Sequence, residues 1–365
     1  MIINIGVKPR HVFFSVTYGE MMNKILERRD RIIDVVVSAF LETGEPVSSG
    51  YVAANCGIKV SSPTVRNSMK ELEEEGYLSK PHPSAGRIPT VKCYRYYVKH
   101  LMKDMNLAED DFQYISRLVK KVIRENDADF FMGHIASVIS EVTDLIGVTM
   151  TPLFERAIFD RLEIVNLGGS KYLLVISLRS GLVKTINLTV DHIITRAKSE
   201  ETARILTTRL SGLSVSEIKR TLGNRMKGIS GGNRNLFDVI INNQDQIFNL
   251  HEEKDIHVAG ISRFLSHSEM AGSEYSLKIV DLAEQKIEIA DALKQTVLYD
   301  EDVNINIGGN GVWGTNPPLS VISAIYHSSD TPGVVAVIGP TRIQYPKLRA
   351  IMKYTASITS GFFSS

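Results

Sequence analysis

Residues 43–99 constrain this chain more than any other stretch, because they carry the stop and start signals of three consecutive helices and a hairpin. Ile33, Val36, Val37 and Phe40 recur at helical spacing over about 26–41. Thr43-Gly44 stops that run, since glycine takes the left-handed cap, and Pro46 keeps the chain extended. Ser48 or Ser49 can then cap a short second helix through Ala54, closed by the turn at Gly57. Ser61-Ser62-Pro63 opens a third helix. Ser62 is the expected cap, with Pro63 at the first helical position, where no needed hydrogen bond is lost. Val65, Met69 and Leu72 share one side and predict a buried face. Pro63, Asn67, Lys70 and Glu74 lie opposite, with Thr64 and Arg66 flanking the start. Gly76 ends this helix, and Tyr77-Leu78-Ser79 reads as a strand. Pro81-His82-Pro83-Ser84-Ala85-Gly86-Arg87 reads as a wing loop with a Gly-Arg tip, and Thr90 caps a further helix over 91–102. The order is that of a winged helix-turn-helix, which suits one helix laid in a major groove beside a basic loop.

The residue types match that use. Base edges are read from the early residues of a groove helix. The Asn67 amide can pair with adenine and the Arg66 guanidinium with guanine, while Lys70 can do the same or meet phosphate. Ser48, Ser49, Ser62, Thr64 and Ser84 can donate to phosphate oxygens, and Arg87 can enter a minor groove or grip phosphate. A merely solvated helix face would carry the same side chains. The acidic run Glu71, Glu73, Glu74, Glu75 must point away from phosphate, which confines contact to the helix start. Tyr94-Arg95-Tyr96-Tyr97 reads as packing on the module rather than as a platform for bases. Charge follows the same division: residues 22–104 hold 13 Lys/Arg against 10 Asp/Glu, and residues 105–365 hold 27 against 30. The front is basic, as a phosphate-facing module requires.

Past residue 105 the texture changes. Helical stretches near 109–125 and 130–146 precede a hairpin with a Gly168-Gly169 turn and a strand over 182–190. Residues 191–275 are polar and mostly helical, with a glycine-rich break at 228–233. A helix then returns over about 276–293, strands follow near 303–307, 319–327 and 333–338, and a final helix spans 346–359. A β-rich, helical, β-rich order predicts an α+β part interrupted by an inserted segment. The expected divisions are an N-terminal extension over 1–21, a winged-helix DNA-binding domain over 22–104, an α+β domain over 105–190 and 276–365, and an insertion over 191–275. With 365 residues there is length for several domains. No apolar run approaches the roughly 20 residues of a membrane helix. Cys56 and Cys93 lie in no CxxC or Cys/His cluster, so neither a disulfide framework nor a metal is expected, and the setting is read as reducing and cytoplasmic.

Two patterns that imitate catalytic or cofactor sites fail on context. Gly309-Asn310-Gly311-Val312-Trp313-Gly314 matches GxGxxG, but Asn316-Pro317-Pro318 follows where a nucleotide site needs a helix. It reads as a hairpin loop. In 251–257 the second histidine arrives too late for HExxH, and the stretch reads as a solvated helix end or loop. No P-loop or nucleophile elbow stands in the sequence, so the chain is read as no enzyme and no cofactor is expected.

The front module closely resembles the heat-inducible transcription repressor family HrcA. The matching residues are Thr43-Gly44-Glu45-Pro46-Val47, Val60 to Asn67, Leu72 to Leu78, Pro81 to Thr90, and Tyr94-Arg95-Tyr96-Tyr97-Val98; a second block runs from Val337 to Tyr345. The resemblance implies a winged helix, a GAF-like α+β domain and an inserted dimerisation domain. It also implies repression of chaperone operons through an inverted repeat called CIRCE, and help from the GroE chaperonin. Gly309-Asn310 departs from the usual Gly-Glu pair of the family, and residues 1–21 have no counterpart. A homodimer follows from physics as well. One small module buries only roughly 600–1,000 Å², and two on a two-fold axis read a palindrome together. A net charge of +1 and an expected exposed pair, Phe362-Phe363, fit a chain that relies on a chaperonin. The alternative reading makes the GAF-like domain a small-molecule sensor.

Overall fold

The computed structural model describes residues 11–120, 128–152, 156–179, 181, 183–248, 256–266, 276, 279, 281–282, 285–295, 302–309, 318–328 and 331–363, with side chains from 26 in the first helix and from 130 in the helix that opens at 128. The fold is mixed α/β and divides into two compact units.

The first unit gathers the described residues of Met1–Asn106, Ile305–Val321 and Gly339–Ala350. It opens on α1 (His11–Thr43), so the backbone helix begins well inside the expected extension and runs straight into the module. Ile33, Val36 and Val37 of the apolar spacing are fully buried, as is Ile32, while Phe40 is half-buried. Gly44, at φ 73°, ends the helix. Then come α2 (Ser49–Asn55), α3 (Ser62–Glu74), β1 (Leu78–Ser79), β2 (Ile88–Pro89) and α4 (Val91–Tyr96). The last turn, Tyr97–Leu101, is a π-helix where the sequence predicts a continuous helix. Val52, Val65, Met69, Leu72, Leu78, Cys93, Tyr94 and Tyr97 complete the core. Each fully buried aliphatic here stabilises by roughly 1.5–3 kcal/mol.

The second unit gathers the described residues of Leu107–Asn304, Ile322–Ile338 and Ile351–Ser365. Helices α5 (Glu109–Lys120) and α6 (Ala128–Thr143) lead into β3 (Ile146–Met150). A five-stranded sheet has the order β7-β3-β10-β9-β8, with β7 (Ile256–Ala259), β8 (Val303–Ile307), β9 (Leu319–Ser328) and β10 (Thr331–Pro340). Strand β3 is antiparallel to β10, Val334 opposite Met150, and to β7, Gly147 opposite Ala259. All of β3 and β10 is buried, as both faces of a central strand require when each is covered. Strand β7 has four residues, too few to stand out by alternation. It places His257 in a sheet rather than in a helix end or loop, while residues 251–255 lie outside the described residues. Helices α11 (Ile261–Ser266), α12 (Lys286–Lys294) and α13 (Tyr345–Phe363) complete the order. Phe362 and Phe363 are half-buried rather than exposed: Phe362 stacks on Phe131 at 3.7 Å between ring centres, and Phe363 lies 5.6 Å from the Tyr326 ring.

Strands β4 (Phe159–Gly168), β5 (Lys171–Leu178) and β6 (Val183–Thr189) form a separate antiparallel sheet in that order. The Gly168-Gly169 turn joins the first two, at φ 112° and 60°. The sequence groups these strands with the α+β part. Their inward residues, among them Leu162, Tyr172, Leu174 and Ile186, instead share one core with α7 (Arg196–Leu210), α8 (Val215–Arg225), α9 (Arg234–Asn242) and α10 (Gln244–Phe248). Consecutive strands joined by tight turns pair with one another first, and the helices that follow cover the apolar side. Tyr172 ties the two layers: its hydroxyl accepts from the Ile194 amide at 2.7 Å.

Candidate nucleic-acid interface

Helix α2 starts at a true cap, the Ser48 hydroxyl accepting from the Tyr51 amide at 3.2 Å. In α3 the cap is Ser61, not Ser62. The Ser61 Oγ accepts from the Thr64 amide at 3.3 Å and lies 2.9 Å from the Thr64 hydroxyl. Both serines can cap by type; Ser61 does so because its backbone is extended, at φ −75° and ψ 152°. Ser62 falls inside the helix and is exposed. Its Oγ stands 3.4 Å from the Ser49 Oγ, so the starts of α2 and α3 lie side by side with their hydroxyls together.

Burial of Val65, Met69 and Leu72 fixes which side of α3 faces out. Arg66, Asn67 and Lys70 are all exposed. Thr64 is half-buried, and Lys70 Nζ stands 3.5 Å from Glu74. Tyr51, which belongs to no motif in the sequence, is 48% exposed on the first turn of α2. An aromatic beside two serines able to cap is the only sequence signal that points to it.

The hairpin expected as a wing departs from its predicted shape. Strands β1 and β2 pair antiparallel, Leu78 opposite Pro89 and Ser79 opposite Ile88. Val47 adds a third rung: its N–H donates to the Arg87 carbonyl, and the Arg87 N–H donates to the Val47 carbonyl, both at 2.9 Å. A Cβ on Gly86 would stand 2.4 Å from the Val47 carbonyl oxygen, so glycine is needed for that approach. Gly86-Arg87 is therefore the anchored base of this hairpin. The exposed tip is Pro81-His82-Pro83-Ser84. The Arg87 side chain is 15% exposed, and its guanidinium lies 2.7 Å from the Glu73 carboxylate.

Three of the four acidic residues of the run are thus partnered along α3, Glu73 on Arg87, Glu74 on Lys70 and Glu75 on Arg29 at 3.0 Å. Arg29 also lies over the Tyr77 ring at 4.5 Å and the Tyr96 ring at 5.6 Å. Tyr96 donates to Asp30 at 2.7 Å. Burial pushes the Tyr96 hydroxyl up to about 12, and the bond to Asp30 adds to it. Tyr94 and Tyr97 are buried, and Arg95 Nε donates to the Ile307 carbonyl at 2.7 Å. The aromatic-basic run is packing. Near the end of α1, Gln344 Nε2 donates to the Leu41 carbonyl at 3.1 Å, and a Cβ on Gly44 would stand 3.3 Å from the Arg342 guanidinium. The second sequence block thus has a structural use: it braces the turn that leads into α2.

Among the described residues, no group of three or more His, Cys, Asp or Glu could hold a metal, and no helix is long and apolar enough to cross a membrane. Of the GxGxxG stretch, only Gly309 lies within the described residues.

Comparison with known proteins identifies the family. The family model "HrcA protein C terminal domain" matches residues 129–348. The heat-inducible transcription repressor HrcA of Chlorobium luteolum is 30% identical over 361 residues, covering 94% of this chain and 99% of the relative. That of Prosthecochloris aestuarii is 30% identical over 345 residues, covering 92% and 97%. A crystal structure described as that of a hypothetical protein shares the fold, with a TM-score of 0.51 at 22% identity, covering 92% of this chain and 98% of its own. The chain therefore belongs to the HrcA family of heat-inducible transcription repressors.

Proposed function

We propose that two copies of this chain repress chaperone operons by seating α3 in successive major grooves of an inverted repeat, the CIRCE element of the family. One observation carries the reading: α3 buries Val65, Met69 and Leu72 and presents Arg66, Asn67 and Lys70 from its first turns. Arg66 and Asn67 read base edges, and Lys70 reads a base or meets phosphate. Ser48, Ser49, Ser62 and Thr64 hold the backbone, with Ser84 at the exposed wing tip. Arg87 stands apart from this set, because Glu73 holds its guanidinium.

In this reading residues 22–104 form a winged helix-turn-helix and the five-stranded sheet belongs to a GAF-like domain. The inserted dimerisation domain spans about 156–248, where strands and helices share one core. The outer face of its sheet supports a contact with a second copy, since Val165, Leu167 and Val183 are 44%, 54% and 60% exposed there. The site of action is the cytoplasm, with GroE assisting the active fold. Protein that keeps full operator binding after heating without chaperonin would count against that last element.

A gel shift on a CIRCE duplex tests the main claim. Arg66→Ala or Asn67→Ala should flatten the preference for operator over base-substituted duplexes by about 1–3 kcal/mol. Wild-type protein that binds no duplex at low salt, or variants with unchanged base preference, would refute it.

A further inference from the structure

We propose that Arg87 is a positioning residue, acting on operator binding through Glu73 rather than by touching DNA. This rests on the reading of α3 as the groove helix. Arg66 and Glu73 stand about two turns apart on one side of that helix, so whatever fixes Glu73 also fixes the side that carries Arg66. Arg87 holds the Glu73 carboxylate at 2.7 Å, in a pair whose side chains are 15% and 32% exposed.

The backbone leaves Arg87 little freedom to do otherwise. Its N–H and carbonyl are both bonded to Val47 at 2.9 Å, and the residue before it fits only as glycine against the Val47 carbonyl. The pair thus links the wing base to the late turns of α3. Arg29 makes the matching link from α1 to Glu75 at 3.0 Å. Two of the carboxylates that seemed hostile to DNA are the points by which the reading helix is held.

The test is fluorescence anisotropy of the full chain on a CIRCE duplex over a range of salt, with Arg87→Gln, Glu73→Gln and the double variant, each checked for folding by circular dichroism. Each single change should weaken binding about fivefold, as befits a half-buried pair. The double should lose no more than one single change, because the two side chains act as a unit. The slope of log affinity against log salt should stay that of the wild type in all four proteins. An Arg87→Gln slope shallower by roughly 0.9 per subunit marks a lost phosphate contact and overturns the proposal. So does a Glu73→Gln protein that binds as well as the wild type, which also decides the matter if Arg87→Gln fails to fold. Wild-type protein indifferent to the duplex sinks the operator reading itself, and this inference with it.

Discussion

Gly86→Ala isolates the close approach that shapes the β1–β2 hairpin. The added carbon would lie 2.4 Å from the Val47 carbonyl oxygen, 2.5 Å from its carbon and 2.7 Å from the Pro46 oxygen. All three are backbone atoms, so no rotamer change relieves the overlap. An ordinary C···O contact is about 3.3 Å, and the two segments must part by about 1 Å to reach it. That breaks the two 2.9 Å bonds between Val47 and Arg87. Their net loss costs roughly 1–3 kcal/mol, offset by about 0.4–1 kcal/mol from the stiffer unfolded chain. With residual crowding, the net is about 1–3 kcal/mol, roughly a five- to 150-fold rise in local opening. Amide hydrogen exchange of the full chain reads it at Val47 and Arg87. Gly76→Ala serves as comparator, since Gly76 has φ 77° and a Cβ there would meet nothing within 4 Å. Its cost is left-handed strain alone, roughly 1–2 kcal/mol before the same offset, and it should show at residues 76–77. Unchanged protection at Val47 and Arg87 in Gly86→Ala would refute the spatial argument.

Three further outcomes follow from single residues. Ser61→Ala should destabilise α3 by about 0.5–2 kcal/mol, and Ser62→Ala by less than about 0.5; equal exchange rates along α3 in the two variants would contradict the cap assignment. Tyr172→Phe strands the Ile194 amide that its hydroxyl now receives at 2.7 Å, costing about 1–3 kcal/mol; an unshifted thermal melt would remove Tyr172 from that role. Burial pushes the Cys93 thiol up to about 12. The unfolded thiol ionises near 8.5, so the unfolded state sheds protons first, and stability falls above that pH by up to roughly 1.4 kcal/mol per unit until about 12. Cys93→Ala should flatten this alkaline limb, and a thiol reagent at pH 8 should find neither Cys56 nor Cys93 in the folded chain, since both are buried.

The helices of the front module were legible because their signals are local. Gly44, the Ser-Ser-Pro start and the spacing of Val65, Met69 and Leu72 each act within one or two turns. They settled to within a residue where α2 and α3 begin and which side of α3 faces out, and so brought Arg66, Asn67 and Lys70 to light as candidates. Which of two adjacent serines caps α3 was not legible, because the choice depends on one backbone dihedral. What Arg87 does lay further out of reach. Its use depends on Val47 and Glu73, and only chain closure brings these beside it. The same distinction holds in the second unit. The Gly168-Gly169 hairpin could be read from its turn, whereas the sheet it joins, and the partnership of β7 with β3 across more than a hundred residues, were decided by which apolar faces found cover. Local propensity sets elements and their exposed sides; long-range pairing assigns them partners, and in this chain it seats the Arg87 guanidinium on Glu73.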